Sequence, residues 1–169
     1  EKIQRVQSPE LKENESNSDV SSPFISLESR SILKYKYINK LKKEEGNKTG
    51  KDIVLYEIPG AVLTIMHIYE MDDMKYVFGS GYKEKSKNNT FIWLVAFKPL
   101  NPKFAIKASS YDFNEAAIIE SSFISSTHSK PAIHLIKRMK GHIPPENYIF
   151  DGNLKVVWKN KASKLLGEE

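Results

Sequence analysis

The sequence predicts a single α+β domain, an antiparallel sheet of about five to seven strands with one or two helices packed on one face and a flexible N-terminal leader in front. Three observations carry this. Residues 52–108 alternate apolar and polar side chains between turn residues, which is the period of strands. Apolar residues between 112 and 139 recur instead at steps of three and four, which is the period of helices. Residues 148–158 then flank Asp151-Gly152-Asn153 with two apolar runs, a hairpin signal. A chain of 169 residues suits one domain with a core of its own.

Residues 1–29 are expected to be the leader and residues 30–169 the domain, ending in a short polar tail. From 1 to 28, Glu1, Glu10, Glu13, Glu15, Asp19 and Glu28 outnumber Lys2, Arg5 and Lys12, and serines punctuate the run. Too few apolar residues lie there to repay chain ordering. From 30 to 48 the balance reverses, with Arg30, Lys34, Lys36, Lys40, Lys42, Lys43 and Lys48 against Glu44 and Glu45. Here the period is ambiguous, since Leu33, Tyr37, Ile38 and Leu41 fit a helix while Leu33, Tyr35 and Tyr37 alternate with lysines as in a strand.

Strands are expected over 52–58, stopped by Pro59-Gly60, and over 61–69, which carries Val62, Leu63, Ile65, Met66, Ile68 and Tyr69. Asp72-Asp73 reads as a hairpin turn into a strand over 74–81, and 82–89 as a Lys/Asn loop. Residues 90–98 form the most strand-like run, with Phe91, Ile92, Trp93, Leu94, Val95 and Phe97 before Pro99. One more short strand follows over 103–108. Asp112 or Asn114 can then cap a helix through Phe113, Ala117, Ile118 or Ile119, Phe123 and Ile124. Pro131 can open a second helix through Ile133, Ile136, Arg138 and Met139, although Ile133, Leu135 and Lys137 also alternate as in a strand.

Composition narrows the function classes. There is no cysteine, which excludes disulfide scaffolds and cysteine-ligated metal sites. No uncharged apolar run approaches the roughly 20 residues of a helical membrane span. A net charge of +5 invites nucleic acid, yet only Arg5, Arg30 and Arg138 are arginine, so the guanidinium forks that read bases are scarce.

Candidate chemistry fares poorly. His67, His128, His134 and His142 lack metal-ligand spacing. Ser125-Ser126-Thr127-His128 places hydroxyls beside an imidazole without the glycine-flanked turn of a nucleophile. Asp72-Asp73 and Asp112 with Glu115 or Glu120 are the carboxylate groupings to weigh for a magnesium site, and turn and cap roles explain them, while Asp151 with Lys155 resembles the Asp…Lys pairs of some endonuclease sheets but lacks a companion Glu-x-Lys on a following strand. Gly79-Ser80-Gly81 lacks the third glycine and following helix of a dinucleotide loop. No catalytic residue, metal ligand or cofactor is therefore expected.

What remains is surface. The expected function is a non-catalytic protein-binding or assembly module that docks on another protein through a sheet edge or an aromatic patch. The candidate binding residues are Lys34, Tyr35, Lys36, Tyr37 and Lys40 in the basic segment, Tyr82 at a loop mouth and Trp158 near the end of the last strand. Two alternatives stand beside it: a nucleic-acid or anionic-surface binder through residues 30–48, and a small hydrolase or nuclease around Asp151, His128 or His134. The chain starts at Glu1 with no apolar signal-type run after it, so a preceding segment removed by processing or cloning is expected. A polar leader ahead of a cysteine-free domain matches an exported bacterial protein or an envelope lipoprotein anchored upstream of Glu1, pointing to periplasm or cell envelope, and equally matches an interdomain linker.

Overall fold

The structure, a computed structural model, describes residues 24–37, 50–102, 106–127, 130–141 and 143–160. Among these, eleven strands follow one another: β1 (Ile25–Glu28), β2 (Ile32–Tyr37), β3 (Lys51–Glu57), β4 (Ala61–Met71), β5 (Met74–Lys83), β6 (Asn89–Phe97), β7 (Lys107–Asp112), β8 (Ile118–Thr127), β9 (Lys130–Arg138), β10 (Glu146–Phe150) and β11 (Val156–Asn160). They form three antiparallel sheets, ordered β1-β2-β3, β4-β5-β6-β7 and β11-β10-β9-β8, in each of which neighbours in sequence are neighbours in space. Residues 25–28, within the segment assigned to the leader, form an edge strand whose Ile25 is buried.

The sheets stack because β6 is apolar on both faces. Phe91, Trp93, Val95 and Phe97 point to one side and pack with Leu33, Tyr35, Ile53 and Leu55 of the first sheet. Ile92 and Leu94 point to the other, where they join Tyr69 and Phe78 against Ile124, Ile133, Leu135, Tyr148 and Phe150 of the last sheet. An uninterrupted apolar run is what a strand needs when neither face meets water. The central sheet is thus the middle of three layers, with a core on each side. Its edge strand β4 lies beside β8 of the last sheet, where the His67 ring donates from Nε2 to the Ser122 carbonyl at 2.8 Å.

The α+β expectation is overturned: the described residues contain no α-helix, only a 3₁₀ turn at Glu84–Ser86, and three sheets take the place of one sheet with packed helices. The two expected helices are β8 and β9. In β8 a bulge leaves Glu120 as an extra residue between the pairs Ile119↔Lys137 and Ser121↔Ile136. One inserted residue converts a two-residue alternation into a three-residue step, and that step imitates a helix in the sequence. In β9 the alternation Ile133, Leu135, Lys137 is the buried row. Pro131 stands near the strand start, where a missing N–H is tolerated.

Turn chemistry explains the hairpins. Asp72 and Asp73 both take positive φ (54° and 65°) between the paired Met71 and Met74, the conformation that a two-residue hairpin demands and that aspartate tolerates. The connection after β10 is longer than an Asp-Gly pair requires. Asp151 Oδ1 accepts from the N–H groups of Asn153 and Lys155, and Leu154 takes φ 57° while burying its side chain in the second core. Gly79-Ser80-Gly81 lies inside β5, with Gly79 facing the β4 bulge at Met66. A Cβ at Gly79 would overlap the Thr64 carbonyl oxygen and the Trp93 ring, so this glycine makes room for the indole.

Candidate docking edge

Among the described residues β11 is the outer strand of the last sheet, and Val156, Val157 and Trp158 stand 40, 64 and 47% exposed along it. Three consecutive large apolar residues in water are unusual on an edge strand, which ordinarily carries charge or proline there. A bulge shapes the site. Trp158 pairs with Ile149 and Val156 with Phe150, leaving Val157 as the extra residue. In register, Trp158, Ile149 and His134 form one row across β11, β10 and β9. The adjoining positions Ile133, Leu135, Tyr148 and Phe150 are buried inward, so alternation turns this row outward. The arrangement offers a strand edge with a shallow, partly apolar face behind it.

Beneath that edge lies a charged cluster. Lys137 is 4% exposed at the end of the inward row of β9, and its Nζ reaches Glu115 Oε2 at 2.6 Å and Glu146 Oε1 at 3.3 Å. Its ammonium also sits 4.9 Å from the Phe113 ring centroid and 5.9 Å from that of Tyr148. The Tyr148 hydroxyl donates to Glu146 Oε1 at 3.0 Å, and Lys159 of β11 lies 3.9 Å from the same oxygen and 5.1 Å above the Tyr148 ring. Burial pushes the Glu146 carboxyl up, but the Tyr148 hydroxyl and the two lysines outweigh it and hold the group below its ordinary range. Burial, then Glu146, pushes the Tyr148 phenol up. Two cations balance two carboxylates, so the cluster ties β11 and the β7–β8 connection to the second core.

The basic segment does not assemble into a binding face among the described residues. Leu33 and Tyr35 are buried and Tyr37 packs on the first core, with Tyr35 4.8 Å from Phe97 and donating to the Pro99 carbonyl at 3.4 Å. Lys34 bridges Glu28 at 3.1 Å and Asp52 at 3.0 Å, and those carboxylates raise its pKa. Lys36 is exposed. Lys40 lies outside the described residues. Tyr82 is half-buried in β5, so the candidates fall on three different sheets and only Trp158 belongs to the docking edge.

The groups weighed for catalysis are dispersed as well. Asp112 bridges Lys83 at 3.0 Å, Asp151 holds its own turn, and Asp72-Asp73 is a hairpin tip. His67 and His134 sit in β4 and β9, and burial lowers both pKa values, while His128 and His142 lie outside the described residues. No group of three or more potential metal ligands occurs among the described residues. Sequence reading passed over Lys137 and Glu146. Their signal was a lysine closing the alternation Ile133, Leu135, Lys137, with an acid on the next strand to meet it. Comparison with protein-family models, curated proteins and solved structures finds no match to this chain.

Proposed function

We propose that this chain is a protein-binding module that receives an extended segment of another protein along β11. The observation that carries it is the exposed run Val156-Val157-Trp158 on an edge strand. An added strand takes its affinity from main-chain hydrogen bonds and its selectivity from alternate side chains, and here Trp158 supplies a large, rigid contact at little entropic cost. The charged cluster beneath keeps the edge in place for that purpose, because Lys159 is tied to Glu146 and to the Tyr148 ring. An exported or envelope-anchored setting would suit an assembly role of this kind, and that part of the reading rests on the polar leader alone.

The test compares capture by the full chain with capture by its Trp158→Lys variant, at about 50 and 300 mM salt to bracket electrostatic screening. A defined protein retained by the wild type at the higher salt and lost by the variant is the expected result. Partners retained equally by both would place binding elsewhere on the molecule.

A further inference from the structure

The side chains that share a face with Trp158 say what kind of segment β11 receives. Register places His134 and Ile136 of β9, Asn147 and Ile149 of β10, and Trp158 and Asn160 of β11 on the outward face of the last sheet, because the residues between them in β9 and β10 point inward. None of these carries a formal charge at neutral pH, in a chain whose residues are 28% charged. Burial disfavours the imidazolium of His134, and the Asn147 side chain hydrogen-bonds to that ring. The first charge beyond Ile136 on this face, Arg138, is answered by Glu120 at 3.1 Å.

The inward side of the strand is neutral in sum. Lys159 belongs with Lys137, Glu115 and Glu146 to a cluster in which the cations and carboxylates balance. Before the strand, Lys155 follows Asp151, and its own N–H donates to that carboxylate. Neither sign of charge is therefore in excess along the edge among the described residues. A charged side chain brought against Trp158 would lose hydration there without gaining a counter-ion. An apolar one gains by the same contact, because Val156, Val157 and Trp158 then leave water. A second copy of β11 does not qualify. Antiparallel two-fold registers centred on Val156 or Trp158 set a lysine opposite Val157, and the one centred on Val157 sets Lys155 opposite Lys159.

Resting on the docking reading above, we infer that the occupant of β11 is an uncharged extended segment of another protein, with a large apolar side chain seated against Trp158 and uncharged residues on either side of it. Its backbone pairs with the open edge. Alternate side chains lie outward beside Trp158 and Asn160, and those between lie beside Val156 and the apolar stem of Lys159. Selection is by burial and shape, so salt has little hold on it.

The experiment is selection of a displayed random-peptide library on the full chain, followed by anisotropy titration of the selected peptide and of copies whose central apolar residue is changed to Glu or to Lys. Enriched peptides are expected to carry no Asp, Glu, Lys or Arg over their central positions. Their Kd should change less than about twofold between about 50 and 300 mM salt, and either charged copy should bind about tenfold or more weakly. Trp158→Lys, checked for retained far-ultraviolet dichroism, should abolish binding. Asn160→Lys should create a preference for acid in the peptide that the wild type lacks. Peptides lost in Trp158→Lys but enriched in charged residues, or weakened steeply by salt, overturn the inference and leave the docking reading intact, as does an Asn160→Lys variant with no new preference. Binding unaffected by Trp158→Lys, or no peptide selected, overturns both. Concentration-dependent dimers lost in Trp158→Lys would name a second copy as the occupant and overturn the inference.

Discussion

Lys137 shows how much a single buried charge can organise. An ammonium at 4% exposure requires its two carboxylates, and those are 44 and 22% exposed, so they recover water if the lysine is removed. Lys137→Met is expected to cost about 2 kcal/mol, less than the loss of a fully buried pair, and Lys137→Met combined with Glu146→Gln should recover part of it. Urea midpoints across that double-mutant cycle measure the coupling. Because the folded-state Glu146 carboxyl titrates below its ordinary range, its contribution is present above about pH 4.3 and is lost as pH falls through the lowered value. The acid limb of a stability profile should flatten in Glu146→Gln. His67 is depressed by burial, with the Ser122 carbonyl partly opposing, so its contribution is complete above about pH 6.5 and lost as pH falls through the lowered value. His67→Gln should remove part of the slope between neutral and mildly acid pH, His134 supplying another part in the same direction. An unchanged slope would show that the β4–β8 contact does not depend on a neutral imidazole. At this scale Trp158 was legible as an exposed aromatic, because a tryptophan at the end of a short last strand has little left to pack on. Tyr35 was not, because alternation says which residues share a face and not which face is covered.

Among the elements, the strands from β3 to β6 were readable because each is bounded on at least one side by Pro, Gly or Asp at a turn and alternates or is continuously apolar beyond it. β8 was misread through one inserted residue, Glu120, while for β9 the sequence offered a helix and a strand side by side, and the strand alternation Ile133, Leu135, Lys137 is the one that forms. The sheet edges differ in consequence. Trp158→Ala on β11 should change stability by no more than about 1 kcal/mol, as befits a half-exposed edge residue. Gly79→Ala in the central β5 should cost about 3 kcal/mol, because the Thr64 backbone and the Trp93 ring, whose Nε1–H donates to the Ser80 carbonyl at 2.7 Å, both stand where the methyl would go. Thermal unfolding of the two variants separates these outcomes. A large loss from Trp158→Ala would mean that β11 is part of the core and not an open edge.

The whole molecule is held by its middle layer, and no local pattern could show that. The continuous apolar run of β6 signals two buried faces, but what covers them comes from strands more than twenty residues away on either side. With both cores resting on one sheet, unfolding should be a single transition. Trp93, read alone in a Trp158→Phe variant, should report the same denaturant midpoint as far-ultraviolet dichroism, and separate midpoints would show that the last sheet melts on its own. The central claim, that the molecule meets its partner along β11, is tested most directly by photocrosslinking from defined positions on the intact chain. A photoreactive residue replaces Val157 in one sample and Val54 in the other, the latter being comparably exposed at 51% on β3 of the opposite layer. A discrete adduct with another protein from position 157 and none from position 54 is the expected result. Adducts from position 54 alone, or none from 157 while binding persists, would contradict it.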